Sequence, residues 1–212
     1  TTAADRFQPT PDLLDKARAE GPIHGLIVAS PSNPTGTMLG RAELQALADY
    51  CSAFDIGVAS LRYFNAAGAH ASGDIGEAHR SESHLIPLVL RAAQEGTEFT
   101  IFGDDYDTAD GTAVRDFVHI EDLARAHTMA LDAIEPGVMK VWNVGSGSGY
   151  SVKEVVETAR KVTGIDVKAK VGPRRPGDTP ALVAGSKRIE KDLGWKALYT
   201  DIEDILRSAW KW

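Results

Sequence analysis

The stretch Gly57–Asn65, GVASLRYFN, constrains the fold of this chain more than any other. Val58, Ala59, Leu61, Tyr63 and Phe64 put apolar side chains on both faces of an extended segment. That is the pattern of a parallel strand covered by helices on either side. A run rich in glycine, alanine and histidine follows, from Ala66 to Ser83. A loop of such length without its own secondary structure is usually functional. Ligands of open α/β sheets also sit beyond the carboxyl ends of the strands. Arg62, Tyr63, Phe64 and Asn65 therefore stand either at a ligand edge or at the polar end of a buried strand.

Strand and helix patterns alternate around this segment. Helices are predicted over Pro11–Glu20, Arg41–Ala53, Leu85–Gln94, Glu121–Ile134, Ser186–Leu193 and Asp201–Trp210. Another starts at Ser151, where Glu154 completes a capping box. In Arg41–Ala53, the residues Leu44, Leu47, Ala48 and Cys51 share one helical face. Short apolar runs predict strands at His24–Ser30, Phe99–Gly103, Val114–Ile120, Val141–Val144 and Val167–Val171. SPSNPTGTMLG, with two prolines and two glycines, excludes helix and central strand. The alternation predicts an α/β architecture.

A net charge of −7 argues against a nucleic-acid partner. No apolar run is long enough to span a membrane and no secretory leader is seen, so the expected location is cytoplasmic. Cys51, the single cysteine, excludes an internal disulfide and a cysteine-based zinc site. The histidines at 24, 70, 79, 84, 119 and 127 form no i, i+4 pair, so packing or surface roles are expected and no metal site. Gly145, Gly147 and Gly149 lie between a strand and a helix, but Tyr150 occupies the position where a dinucleotide fingerprint needs glycine.

Arg115, at the start of a predicted strand, and Arg175, in a Pro/Gly-fixed loop, admit two readings. They form a phosphate clamp, since guanidinium forks match phosphate oxygens and stay charged. Alternatively they are surface arginines paired with Asp116 and Asp178, an arrangement worth little energetically.

Five blocks carry a resemblance: LRYFNAAGAH at 61–70, SHLIP at 83–87, FGDDYDTADGTAVRDFVHIEDLARAH at 102–127, WNVGSGSGYSV at 142–152 and RRPGD at 174–178. In this order, residues 48–212 resemble the C-terminal half of the UDP-glucose 4-epimerase family, extended short-chain dehydrogenases/reductases. The resemblance implies a partial Rossmann-like parallel sheet joined to the smaller α/β substrate-binding domain of that group. It implies that Arg115 and Arg175 contact a nucleotide diphosphate, that Asp178 faces the ribose and that Asn65 contacts the diphosphate-sugar. His84 and Leu85 would lie along the nucleotide, with Phe117 near the base and Tyr63 and Phe64 beside a nicotinamide. Many family members have Asn where His84 stands.

Residues 22–45 differ in kind. LIVASPSNPTGTML resembles a loop of fold-type-I aminotransferases, in which the asparagine matching Asn33 bonds the hydroxyl of pyridoxal phosphate. The expected organisation is thus an aminotransferase-like fragment at 1–47 fused to an epimerase-like half at 48–212, joined within a helix near Leu44–Tyr50.

The resemblance implies NAD-dependent epimerisation of a UDP-sugar, with a Tyr of a YxxxK pair as base. Four residues after Tyr50, Tyr63, Tyr106, Tyr150 and Tyr199 stand Phe54, Ala67, Asp110, Glu154 and Glu203, none of them lysine. No three glycines have GxxGxxG spacing, so the pyrophosphate cradle is missing. The expectation is a truncated chain that binds a UDP-sugar, holds NAD weakly and catalyses nothing alone. The alternatives are a ligand-free structural chimera and a pyridoxal-phosphate aminotransferase fragment. A homodimer or a complementing chain carrying the catalytic half is the expected protein partner.

Overall fold

The computed structural model describes residues 8–23, 25, 26, 28, 39–79 and 82–212. The first elements are α1 (Pro11–Glu20), β1 (Gly25–Leu26), α2 (Arg41–Ala53), β2 (Gly57–Arg62) and β3 (Asn65–Ala67). Next come α3 (Leu85–Glu95), β4 (Phe99–Phe102), β5 (Val114–His119), α4 (Ile120–Asp132), β6 (Met139–Asn143) and β7 (Gly149–Ser151). The chain closes with α5 (Val152–Thr163), β8 (Ala169–Gly172), β9 (Ala181–Leu182), α6 (Lys187–Leu193) and α7 (Ile202–Lys211). Helices alternate with strands that pair mostly in parallel, the α/β architecture expected from the sequence.

Two units share these elements. One holds Thr1–Arg62 with His127–Trp142; the other holds Tyr63–Ala126 with Asn143–Trp212. The chain therefore passes between them three times, after Arg62, after Ala126 within α4, and after Trp142.

In the first unit, Thr10 accepts a hydrogen bond from the Leu13 amide and caps α1, with Pro11 at the position where a missing N–H costs nothing. The strands run in the order β1-β2-β6 with β2 central, and Gly25 and Leu26 pair in parallel with Gly57 and Val58. Leu14, Leu39, Leu47, Tyr50, Cys51 and Ile56 form the core, joined by Ile23, Leu26, Val28 and Val58. Leu44, expected on the buried face of α2, is 46% exposed. Tyr50 is buried instead, with its hydroxyl donating to Asp15.

The second unit packs α3, α5 and α7 around a larger core that includes Ile86, Val89, Phe117, Val155, Ile202 and Leu206. Strand β5 lies between β3, parallel to it, and β7, antiparallel, with β9 pairing in parallel with its first residues. The capping box at Ser151 is present in both directions, and Ser151 Oγ also donates to Asp110. Asp122, fully buried, accepts the amides of Leu198 and Tyr199. His119 is buried and stacked on Tyr199 at 3.9 Å. The Glu121 amide donates to its Nδ1, which leaves Nε2–H to donate to Ser208 Oγ at 3.0 Å. Burial pushes the His119 pKa below its ordinary value, against the opposing pull of Glu121 and Asp122.

The stretch from Gly57 to Asn65 is not one strand. β2 ends at Arg62 and β3 begins at Asn65 in a different sheet. Tyr63 and Phe64, between them, are 41% and 47% exposed. Of the apolar residues that made the pattern, Val58, Ala59 and Leu61 belong to β2, whereas Tyr63 and Phe64 belong to the exposed link. Part of the run Ala66–Ser83 is likewise not loop, because Ala66 and Ala67 pair with Val118 and His119. The predicted strand over His24–Ser30 is seen as Gly25–Leu26, the remainder lying partly outside the described residues.

Candidate functional site

Arg115 is the second residue of β5, opposite Tyr150 of β7 and Leu182 of β9. Its Nη1 donates to the carbonyls of Val114 and Thr179, at 2.8 and 3.0 Å. Its Nη2 reaches Asp178 Oδ1 at 3.3 Å, and the side chain is only 13% exposed. Two carbonyl anchors and neighbours on either side fix this guanidinium in place.

The second cation comes from a tight turn. The Asp178 amide donates to the Arg175 carbonyl across Pro176 and Gly177, and Gly177 has φ +84°. Proline second and a left-handed glycine third make a type II turn, which a side chain at 177 would strain. The turn brings Arg175 Nε to Asp178 Oδ2 at 3.1 Å. The Arg175 guanidinium also lies 5.1 Å from the Phe102 ring centre, within cation–π reach. Two guanidinia thus share the two oxygens of one carboxylate, leaving one net positive charge at the group. Arg175 is 57% exposed, so its ion pair is screened and worth at most about 1 kcal/mol.

Asp116 is not a partner of Arg115. Strand alternation turns its side chain to the opposite face, where it is fully buried and accepts from the Ser146 amide, Ser146 Oγ, the Gly147 amide and the Ala184 amide. A Cβ on Gly145 would stand 2.5 Å from Asp116 Oδ2, so the loop needs glycine there to close on the carboxylate. The amides of this glycine loop are spent on Asp116 and offer no cradle to a pyrophosphate. One of the two sequence readings of Arg115 and Arg175 made Asp116 a surface partner, and its full burial sets that pairing aside. The one signal of its true role is a carboxylate between the apolar residues of β5.

Asn65 opens β3 opposite Phe117, and its Nδ2 donates to the Asp116 carbonyl at 2.8 Å. Phe117 lies in the core, 2% exposed. His84 directly precedes α3, with Nδ1 at 2.6 Å from Glu77 and 3.0 Å from Glu82. Leu85, the first residue of α3, packs half-buried on the core. Arg115, Arg175 and Asp178 are thus one group, Asn65 and Phe117 a register pair, and His84 and Leu85 a helix entry. Asn33 lies outside the described residues.

Two family models match the chain. The NAD dependent epimerase/dehydratase family matches residues 41–145, and aminotransferase class I and II matches residues 2–58. A UDP-glucose 4-epimerase of Corynebacterium glutamicum is 45% identical over 219 aligned positions, covering 93% of this chain and 65% of the relative. One from Lactobacillus helveticus is 48% identical over 86% of this chain and 56% of its own. The chain thus spans between half and two thirds of the length of these relatives. The solved UDP-glucose 4-epimerase of Bifidobacterium longum, in complex with NAD+ and UDP, superposes with a TM-score of 0.80. It is 35% identical and the match covers 95% of this chain and 67% of that one.

Proposed function

The chain belongs to the NAD dependent epimerase/dehydratase family, and from that membership we propose that it is the UDP-sugar-binding part of a UDP-glucose 4-epimerase-like isomerase. The observation that carries the proposal is the convergence of Arg115 and Arg175 on Asp178. A diphosphate carries paired anionic oxygens, and two guanidinia held a carboxylate's width apart match them bidentately. Arg115 serves as the fixed member and Arg175 as the member that exchanges Asp178 for ligand. Asp178, released from one arginine, accepts from a ribose hydroxyl. Asn65, His84 and Leu85 complete the expected nucleotide-sugar contacts, while Phe117, expected near the base, lies in the core in register with Asn65.

In this family NAD supplies hydride transfer. The residues of this chain do not fit the whole cofactor. Tyr63 and Phe64 offer exposed rings, but the glycine loop at 145–149 is closed on Asp116 and the sequence holds no GxxGxxG. No tyrosine has a lysine four residues on to act as the proton-transfer pair. We therefore assign this chain ligand binding and derive no hydride step from it. A second copy, or a chain carrying the catalytic half, is the proposed protein partner.

The test is calorimetric titration with UDP at low salt, comparing the chain with Arg175→Ala. Saturable binding that the substitution abolishes supports the clamp. Absence of heat from a folded chain refutes it.

A second reading rests on the overlap of the two family matches at residues 41–58, within which α2 falls. We propose that residues 1–47 are an aminotransferase-like segment fused to an epimerase-like half at 48–212. The aminotransferase motif at Asn33 then has no site to serve. Sequencing the chromosomal locus across codons 40–60 decides whether the join is natural.

A further inference from the structure

The sequence gives Glu77, His79, Glu82 and His84 no regular spacing, yet the fold brings one donor atom from each to within 4.8 Å of the others. We propose that these four side chains form a binding site for a divalent first-row metal ion, of which Zn2+ is the best match. The proposal shares His84 with the nucleotide reading, so its test variants fall at Glu77 and His79, which that reading does not use.

Both imidazoles turn the same atom toward the two carboxylates. His79 Nδ1 lies 2.9 Å from Glu77 Oε1 and 3.3 Å from Glu82 Oε2. His84 Nδ1 lies 2.6 Å from Glu77 Oε1 and 3.0 Å from Glu82 Oε1. Zinc bonds of about 2.0–2.1 Å in a tetrahedron set ligand–ligand edges of about 3.3 Å. The 3.3 Å edge to Glu82 Oε2 already fits, and the two edges at Glu77 Oε1 need to open by about 0.4 and about 0.7 Å. Two imidazole nitrogens and two carboxylate oxygens are donors that zinc accepts, and two carboxylates balance the dication.

The surroundings orient the donors as a metal site requires. Glu82, only 7% exposed, accepts the amides of Ser83 and His84 on Oε1, each at 2.7 Å, which leaves Oε2 for the ion. Burial raises the Glu82 pKa, but those two amides and His79 outweigh it and the group sits below the usual carboxylate range. A pocket of about 460 Å³ lined by Glu77, His79, Glu82, Ile86 and Trp212 gives the ion a way in. Without metal, Nδ1–H protons bridge the imidazoles to the carboxylates; an ion at Nδ1 takes their place, and each neutral ring carries its proton on Nε2 instead.

The test uses tag-free, chelator-stripped full chain titrated with Co2+, read by the visible absorption of the tetrahedral ion, then with Zn2+ to displace it. The expected result is one equivalent of Co2+ bound and then displaced by one equivalent of Zn2+. His79→Ala and Glu77→Gln, each checked for folding by circular dichroism, should weaken binding by at least about tenfold, the low end even for outer-shell losses. No saturable binding, or binding that both variants leave unchanged, overturns the proposal. UDP titration of the same samples reads the nucleotide site separately.

Discussion

In the unit built from residues up to Arg62 and from 127 to 142, the described interior is apolar, and Gln8 is its one buried polar side chain. The other unit buries Asp116, Asp122, His119, Thr112 and Ser151 among its aliphatic residues. Apolar contacts are non-directional, so the first interior accepts changes of shape. Buried carboxylates and imidazoles are directional and costly when unpartnered, so the second specifies one arrangement of its loops. Arg115 and Arg175, the proposed clamp, belong to the second unit, and the lesson is that their placement is inherited from buried polar residues elsewhere in it. Asp116 orders the loop at 145–149 and the segment at Ala184, while Arg115, its neighbour in β5, faces the other way.

The contrast can be broken most sharply at Asp116. Asp116→Ala leaves the amides of Ser146, Gly147 and Ala184, the last of them buried, without their acceptor and should cost about 3–5 kcal/mol, read as a lower urea midpoint. A cost under about 1 kcal/mol would mean the polar interior of this unit is incidental. Leu47→Ala, in the apolar interior, should cost about 2–3 kcal/mol. Its effect should appear in hydrogen exchange of α1 and α2 while α5 amides keep their protection; uniform loss would show that the two interiors unfold together.

Two helix caps sharpen the same contrast. Thr10→Ala removes one capping hydrogen bond and should cost about 0.5–1 kcal/mol. Ser151→Ala removes a cap and the tie to Asp110, and should cost about 1–2 kcal/mol. Thermal unfolding of both variants orders them. The smallest effect is a slope. Because burial lowers the His119 pKa, the unfolded chain takes up that proton first as pH falls below about 6.5. His119 therefore contributes stability that is full above that pH and lost on the way down to its folded value. Unfolding midpoints measured between about pH 7.5 and 5.5 should fall in the native chain and flatten in His119→Asn. The carboxylates held low, Asp110 and Glu121, act in the same direction from about pH 4.5 downward, outside that window.

What could be read from the sequence was local. Pro11 and Gly21 bracket α1, α2 runs from Arg41 to Ala53 as its periodicity says, and Ser151 with Glu154 announces α5, because caps and helical periods are written within a few residues. The Pro-Gly turn that carries Arg175 to Asp178 was legible for the same reason. The break at Tyr63–Phe64 was not, since two strands of different sheets demand apolar residues alike and nothing between them is Gly or Pro. Nor were β7 and β9, which are short and exist through pairing with β5 far away in sequence. The convergence of Glu77, His79, Glu82 and His84 depends on the path of a loop, which no period encodes.

Three crossings of the chain between the units mean that neither is a contiguous length of sequence. Heredity, however, cuts and joins contiguous lengths. A recombination that replaced the first 47 residues would exchange strand β1, helix α1 and the first half of α2, while the central β2 and its neighbour β6 stayed with the older gene. Such an event swaps the margin of a sheet and not a module, and the newcomer survives only if its edge hydrogen bonds register with a strand it did not evolve beside. In that event the pairing of Gly25 with Gly57 would be the seam, two glycines facing each other across it.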